Sequence, residues 1–238
     1  MTDAPTSFEI NEFGQPVGLV VPSWQAPPLP GDEVLTGSAC RIEPLSASNH
    51  TASLYTANEK AADDRAWTYL PYGPFESFED YHAWVTSAAA GSDPKFYAIV
   101  DLKTGRAAGV ASFLRIDQQS GSIEVGHIHL SPLLQRTRAA TEAMYLLMRY
   151  AFDLGYRRYE WKCDALNTAS CEAGQRLGFR PEGVHRQARV TKGRNRDTAW
   201  FSILDSEWPA RRAEFERWLA PENFAADGKQ RSALDQKI

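Results

Sequence analysis

The 238-residue chain has little of what marks several common protein classes. Its three cysteines, Cys40, Cys163 and Cys171, form no Cys-x-x-Cys pair. So sparse and odd a set argues against a disulfide framework and for a reducing compartment, with the thiols serving as small buried groups. No apolar run approaches the roughly 18 residues that a membrane span needs. The opening MTDAPTSFEI lacks the basic start and apolar stretch of a signal peptide, so a cytoplasmic location is expected. Basic residues are not in excess: 26 Lys and Arg face 30 Asp and Glu, for a formal charge of -4. That balance disfavours nucleic acid as a partner. Internal repeats and low-complexity tracts are also missing. What remains is an ordinary globular composition, 43% hydrophobic and 24% charged, on a chain long enough for one domain with a sizeable core.

Residues 1–36 are broken by Gly14, Pro16, Gly18, Pro22, Pro27, Pro28, Pro30 and Gly31, yet carry Phe13, Val17, Val20, Val21 and Trp24. They read as an arm packed on a domain spanning 37–220. Residues 221–238 read as a polar, partly disordered tail. Within the domain, residues 39–45 form a first strand, Ser46 caps a helix reaching Asn58, and Ser77 caps a second, ended by Gly91. The aromatic stretch 67–75 (WTYLPYGPF) holds two prolines and a glycine, which exclude a helix. Residues 96–102, 108–116 and 123–130 read as an antiparallel meander. A helix follows from Thr137 to Leu154, with Gly155 as its C′ residue. Residues 158–164 (RYEWKCD) alternate as a strand with two different faces. Because a helix connects it to 123–130, these two strands are expected to run parallel. A short helix at 167–177, a hairpin of 182–191 with 198–204, and a helix at 207–219 complete the domain. Together these predict an α/β (α+β) fold, a mixed sheet of about seven strands flanked by helices.

The stretch 123–155 organises the rest. Gln135-Arg136-Thr137-Arg138-Ala139-Ala140 follows a strand and opens a helix, where free amides and the helix dipole favour an anion. Arg136 and Arg138 conflict with that dipole unless an anion binds there. Two solvated loop arginines are the plainer alternative.

This QRTRAATEA segment resembles the cofactor motif of the GNAT superfamily of acyl-CoA N-acyltransferases, Q/R-x-x-G-x-G/A, with Gln135 first and Ala140 last. Residues 166–183 (LNTASCEAGQRLGFRPEG) resemble the N-x-x-S…LGF-x-x-EG signature of its ribosomal-protein N-terminal acetyltransferase branch. The resemblance spans roughly residues 42–219. It implies a sheet splayed between 124–130 and 158–164, with acetyl-CoA as co-substrate and no metal. It also implies a pantetheine arm along Leu130, facing Asn167. Pyrophosphate would lie on Gln135, Arg136, Thr137, Arg138, Ala139, Ala140 and Thr141. The chain departs from the pattern at the central glycine, which is Arg138 here. That leaves open either an added phosphate clamp or a weakened site.

The implied reaction is direct acetyl transfer to a primary amine in a ternary complex. A lysine amine, with a pKa near 10.4, costs about 4 to 5 kcal/mol to deprotonate at pH 7, an α-amine about 1. Glu124 is the candidate base, against the reading of an ordinary strand carboxylate. Glu124, Gly126, Ile128 and Leu130 share a face unless a bulge intervenes. Ser170 matches the proton donor to the leaving thiolate, against a plain intrahelical hydroxyl. His127 and His129 lack further metal ligands nearby. Trp67, Tyr69 and Tyr72 are expected to contact the acceptor, and Asp63, Asp64 and Glu76 to attract a cationic one. The acceptor is a protein N-terminus or a small amine, including amine antibiotics. A non-catalytic acyl-CoA sensor is the competing reading. A homodimer contact through the arm and the last helix is also expected.

Overall fold

In a computed structural model, residues 7–235 are described. The chain runs β1 (Glu9–Ile10), β2 (Pro16–Val17), β3 (Leu35–Thr36), β4 (Cys40–Pro44), α1 (Ala47–Asn58) and α2 (Phe78–Ala89). Then come β5 (Lys95–Asp101), β6 (Arg106–Asp117), β7 (Ser122–Leu130), α3 (Arg138–Asp153), β8 (Arg158–Asp164) and α4 (Thr168–Arg176). The domain closes with β9 (Arg180–Thr191), β10 (Arg194–Leu204) and α5 (Trp208–Leu219). The caps fall where the sequence places them. Ser46, Ser77 and Thr137 accept from the amides of Asn49, Asp80 and Ala140. Gly155 takes φ +97, the left-handed geometry that ends α3.

One sheet of eight strands has the order β3-β4-β5-β6-β7-β8-β10-β9. Every neighbour is antiparallel except β7 with β8, which run parallel as the helical crossover requires. The eighth strand is β3, two residues long and too short to show a period.

Two cores cover the two faces. Ile123, Val125, Tyr159, Trp161 and Phe201 pack with Leu147 and Met148 of α3 and Phe215 of α5. On the other face Phe96, Ala98 and Val110 pack with Leu54 of α1 and Tyr81 and Val85 of α2. Each such side chain stabilises the fold by roughly 1.5–3 kcal/mol. The second layer rests on β5 and β6, and β9 beyond it is exposed along almost all of its length. Half of that face is therefore left open.

Two expectations are corrected. The arm packs only in its second half. There Trp24 Nε1 donates to the Gln119 carbonyl (3.2 Å), and Tyr156 and Tyr150 bond the backbone of Pro28 and Gly31. The expected anchors Phe13, Val17, Val20 and Val21 are instead exposed, on or beside the small β1–β2 hairpin. The tail is ordered through Asp235. Asn223 donates to the Trp218 and Ser232 carbonyls, Arg217 bonds Ser232 and Ala233, and Leu234 is buried. Residues 221–235 thereby cover part of α5, whose face was expected to be free for a dimer. Residues 236–238 lie outside the described chain.

Candidate active site

The strands β7 and β8 pair only from Ser122–Arg158 to Val125–Trp161, and then part. Past that point β7 keeps β6 on one side and faces a cleft on the other. A bulge marks the divergence: the β6 register jumps between Val110–His129 and Ser112–Gly126, and His127 takes φ +52. The cleft measures about 1350 Å³, above the roughly 300–1,000 Å³ of a drug-sized site. It runs from the start of α3 to the open face of β10.

At the α3 end the turn is built as an anion cradle. Thr137 caps the Ala140 amide (3.2 Å), and the Gln135 amide bonds Ser131. The amides of Arg136, Arg138 and Ala139 donate to no acceptor among the described residues, which is the state a helix N-terminus offers an anion. Left-handed φ falls at Arg136 (+60), whereas Arg138 is the first helical residue and needs no glycine. Gln135 Nε2 donates to the Leu130 carbonyl (2.9 Å). Leu130, Gln135, Arg136, Thr137, Arg138, Ala140 and Thr141 line the cleft; Ala139 is buried behind it.

Arg138 is engaged elsewhere. Its guanidinium donates to Ser38 Oγ (2.9 Å) and to the Leu219 carbonyl (2.5 Å), and lies 4.6 Å from the Phe224 ring centroid. The carbonyl end of α5 thus offsets the repulsion between this arginine and the dipole of α3. The side chain latches residues 221–235 beside the cleft, and Phe224, Lys229 and Gln230 join its wall.

Four residues on, Glu142 is nearly buried. Its carboxylate accepts from the Ser38, Ala39 and Cys40 amides (2.8, 2.6 and 2.8 Å) and from Ser38 Oγ (2.6 Å). Burial acts to raise its pKa, but these hydrogen bonds outweigh it and hold the carboxyl below its usual range. A Cβ at Gly37 would lie 2.4 Å from this carboxylate, so the approach admits only glycine. Glu142 belongs to the motif stretch, but its structural duty has no local signal.

Across the cleft, Asn167 caps α4 through Oδ1 on the Ser170 amide (3.1 Å), which leaves its amide nitrogen to donate. Ser170 Oγ accepts from Trp161 Nε1 (3.1 Å), so its own proton is available to the cleft or to neighbouring Cys163. Both residues line the cleft.

The other end differs from expectation. Glu124 is 2% exposed and fully engaged: Arg115 grips both oxygens (2.6 and 2.5 Å), and Lys162 Nζ is 3.2 Å away. A carboxylate so held orients both cations. Lys162 also pairs with Glu160 (2.6 Å) and lies 3.3 Å over the Trp200 ring. Trp67 and Tyr72 back the wall and do not line the cleft. Trp67 stacks on His129 at 3.8 Å, and the Tyr72 hydroxyl meets His127 Nδ1 at 3.2 Å. From that loop Ala66, Tyr69, Leu70 and Pro71 line the cleft. The loop forms a roof: Tyr69 donates to the Leu166 carbonyl (3.2 Å), and Lys192 bonds the carbonyls of Trp67 and Gly73 (2.8 and 2.6 Å).

Burial lowers the pKa of His127 to about 4, with Arg115, Arg189 and Arg196 adding to the effect; burial alone takes His129 to about 4. Both are neutral at pH 7. Asp63, Asp64 and Glu76 do not line the cleft, and Asp63 is paired with Arg65. The strand end is cationic: Arg115, Lys162, Arg189 and Arg196 against Glu124 and Asp164.

A family model for the acetyltransferase (GNAT) domain matches residues 41–180. A GCN5-related N-acetyltransferase from Brucella melitensis is 44% identical, covers 90% of this chain and 97% of its own, and superposes with a TM-score of 0.88. A probable GNAT-family acetyltransferase from Chromobacterium violaceum is 42% identical over 82% of this chain and 98% of its own, with a TM-score of 0.76. An uncharacterised N-acetyltransferase, p20 of Bacillus licheniformis, is 33% identical over 151 residues, 62% of this chain and 84% of that protein.

Proposed function

Because the chain belongs to the acetyltransferase (GNAT) family, and so is an acyltransferase, we propose that it moves an acetyl group from acetyl-CoA to a small primary amine. Transfer is direct, in a ternary complex. The observation that carries this reading is the opening of the sheet after Val125–Trp161, directly before a turn with three undonated amides.

Acetyl-CoA supplies an activated thioester. The amides of Arg136, Arg138 and Ala139 receive its pyrophosphate, and the free edge of β7 past Val125, together with Asn167, holds the pantetheine arm. Backbone donors at the bulge around His127 stabilise charge on the carbonyl oxygen. The amine nitrogen bonds to the carbonyl carbon, the C–S bond breaks, and Ser170 supplies the thiolate with a proton. The proton lost by the amine nitrogen passes to water in the open cleft, from which Ser170 is reprotonated. Glu124 positions Arg115 and Lys162. Surplus positive charge at the strand end disfavours an ammonium, so the amine enters in its neutral, nucleophilic form. The roof over this end favours a small amine over a protein N-terminus. Helical φ and a free amide at Arg138 remove the motive for the sensor reading.

Calorimetry with acetyl-CoA and a coenzyme A release assay across small amines test the proposal. Micromolar binding and amine-dependent release are expected, with Ser170→Ala lowering kcat by about tenfold or more and leaving the acetyl-CoA Kd unchanged. Absence of acetyl-CoA binding would overturn it.

A further inference from the structure

Along β10 the residues Ala199, Phe201 and Ile203 face the core, which puts Arg196, Thr198 and Trp200 on the opposite, cleft-facing side. All three carry a buried polar atom with no partner: Arg196 Nε, Thr198 Oγ1 and Trp200 Nε1. Native folds seldom leave buried donors unpaired, because each has given up its hydrogen bonds to water without a replacement. Three in register on one strand, all lining one cleft, share one explanation: a ligand acceptor completes them.

The charges identify that acceptor. Arg189, paired across the hairpin with Arg196, also lines the cleft and has no carboxylate within ion-pair distance among the described residues. His185 stacks on Trp200 with centroids 4.4 Å apart. Elsewhere on the sheet, Arg115 of β6 and Lys162 of β8 are committed to Glu124 and Glu160. Asp164 acts on Arg196 from β8 without approaching to ion-pair distance, and it also accepts from the Leu166 amide. The row on β10 is therefore a set of donors that includes one of two arginines, Arg189 and Arg196, with no carboxylate at ion-pair distance among the described residues.

We infer that the amine acceptor carries an anionic group, a carboxylate or a phosphate, and that Arg196, Thr198 and Trp200 of β10 with Arg189 of β9 bind it. This rests on the acetyl transfer proposed above. The anion offsets the positive surplus that keeps the amine neutral, and it fixes the amine relative to the bulge at His127. Cationic acceptors such as polyamines and amine antibiotics are rejected by the same charges.

The test uses matched pairs on the full chain saturated with acetyl-CoA: L-phenylalanine against L-phenylalaninamide, and O-phosphoethanolamine against ethanolamine. Calorimetric affinity for the CoA-bound protein and kcat/KM are both read. The anionic member of at least one pair is expected to win by about tenfold or more, and the pair that does so distinguishes carboxylate from phosphate. Arg189→Gln, on an exposed strand, is expected to raise KM for that anionic amine by about tenfold while leaving the acetyl-CoA Kd in place. Arg196→Lys is expected to retain part of the preference that Arg196→Gln loses. Equal use of both members of each pair, preference for the uncharged members, or no binding of either anionic amine to the CoA-bound protein would overturn the inference. Failure to bind acetyl-CoA is a separate result and falls on the proposed function instead.

Discussion

At the α3 end of the cleft the free donors are backbone amides of Arg136, Arg138 and Ala139, all within one turn. At the other end they are side chains from β9 and β10, the hairpin at the edge of an eight-stranded sheet. The first site is made by conformation, so it tolerates arginine where the motif has glycine. The second is made by side-chain identity, so single substitutions should change its selectivity. In the proposed function, recognition of a common co-substrate and of a particular acceptor are thus separated in space and in kind.

The comparison can be broken first at the scaffold beneath the α3 end. Glu142→Ala leaves the buried Cys40 amide and the part-buried amides of Ser38 and Ala39 without their acceptor, and is expected to cost roughly 3 kcal/mol in urea unfolding. A cost below about 1 kcal/mol would mean that the turn is not pinned from behind.

Acid should act on the other end. His127 and His129 have folded pKa values near 4, below the ordinary 6.5. Between those values the unfolded chain binds protons that the fold refuses, so stability falls as pH drops from about 6.5 through 4. The loss is up to about 3 kcal/mol for each residue. His129→Phe, which keeps the stack on Trp67, should remove about half of this acid sensitivity in unfolding curves at pH 7 and pH 4.5. An unchanged pH profile would show that the stack does not exclude the proton.

The smallest effect is expected at the roof. Lys192→Ala removes two bonds to the carbonyls of the Trp67–Gly73 loop. A rise in acceptor KM of about threefold, with less than about 1 kcal/mol of stability lost, would fit a roof that positions the acceptor.

The same division explains what the sequence reveals. The caps, the turn before α3 and the Asn167–Ser170 corner follow from local patterns, since each uses residues within a few positions of one another, and the parallel β7–β8 pair follows from the helix that connects its strands. The ion pairs of Glu124 are not legible in the sequence because its partners Arg115 and Lys162 lie on neighbouring strands, 9 and 38 residues away. Trp67 and Tyr72 were misplaced because an aromatic loop does not announce which rings face inward. The tail looked disordered because its order comes from polar contacts of Asn223, Arg217 and Arg138, which have no hydrophobic period. The unpaired row on β10 was invisible because an unsatisfied donor is a property of the fold alone.

The central claim, that the turn binds acetyl-CoA through backbone amides, is tested by titrating acetyl-CoA into Arg138→Ala and Arg138→Pro. Both lose the guanidinium, but only proline loses the amide. The first helical position accepts proline, and Thr137 before it already has extended backbone (φ -100, ψ 163). A Kd about 10- to 100-fold weaker in the proline variant than in the alanine variant, at equal thermal stability, is the expected result. Equal affinity in the two would contradict it.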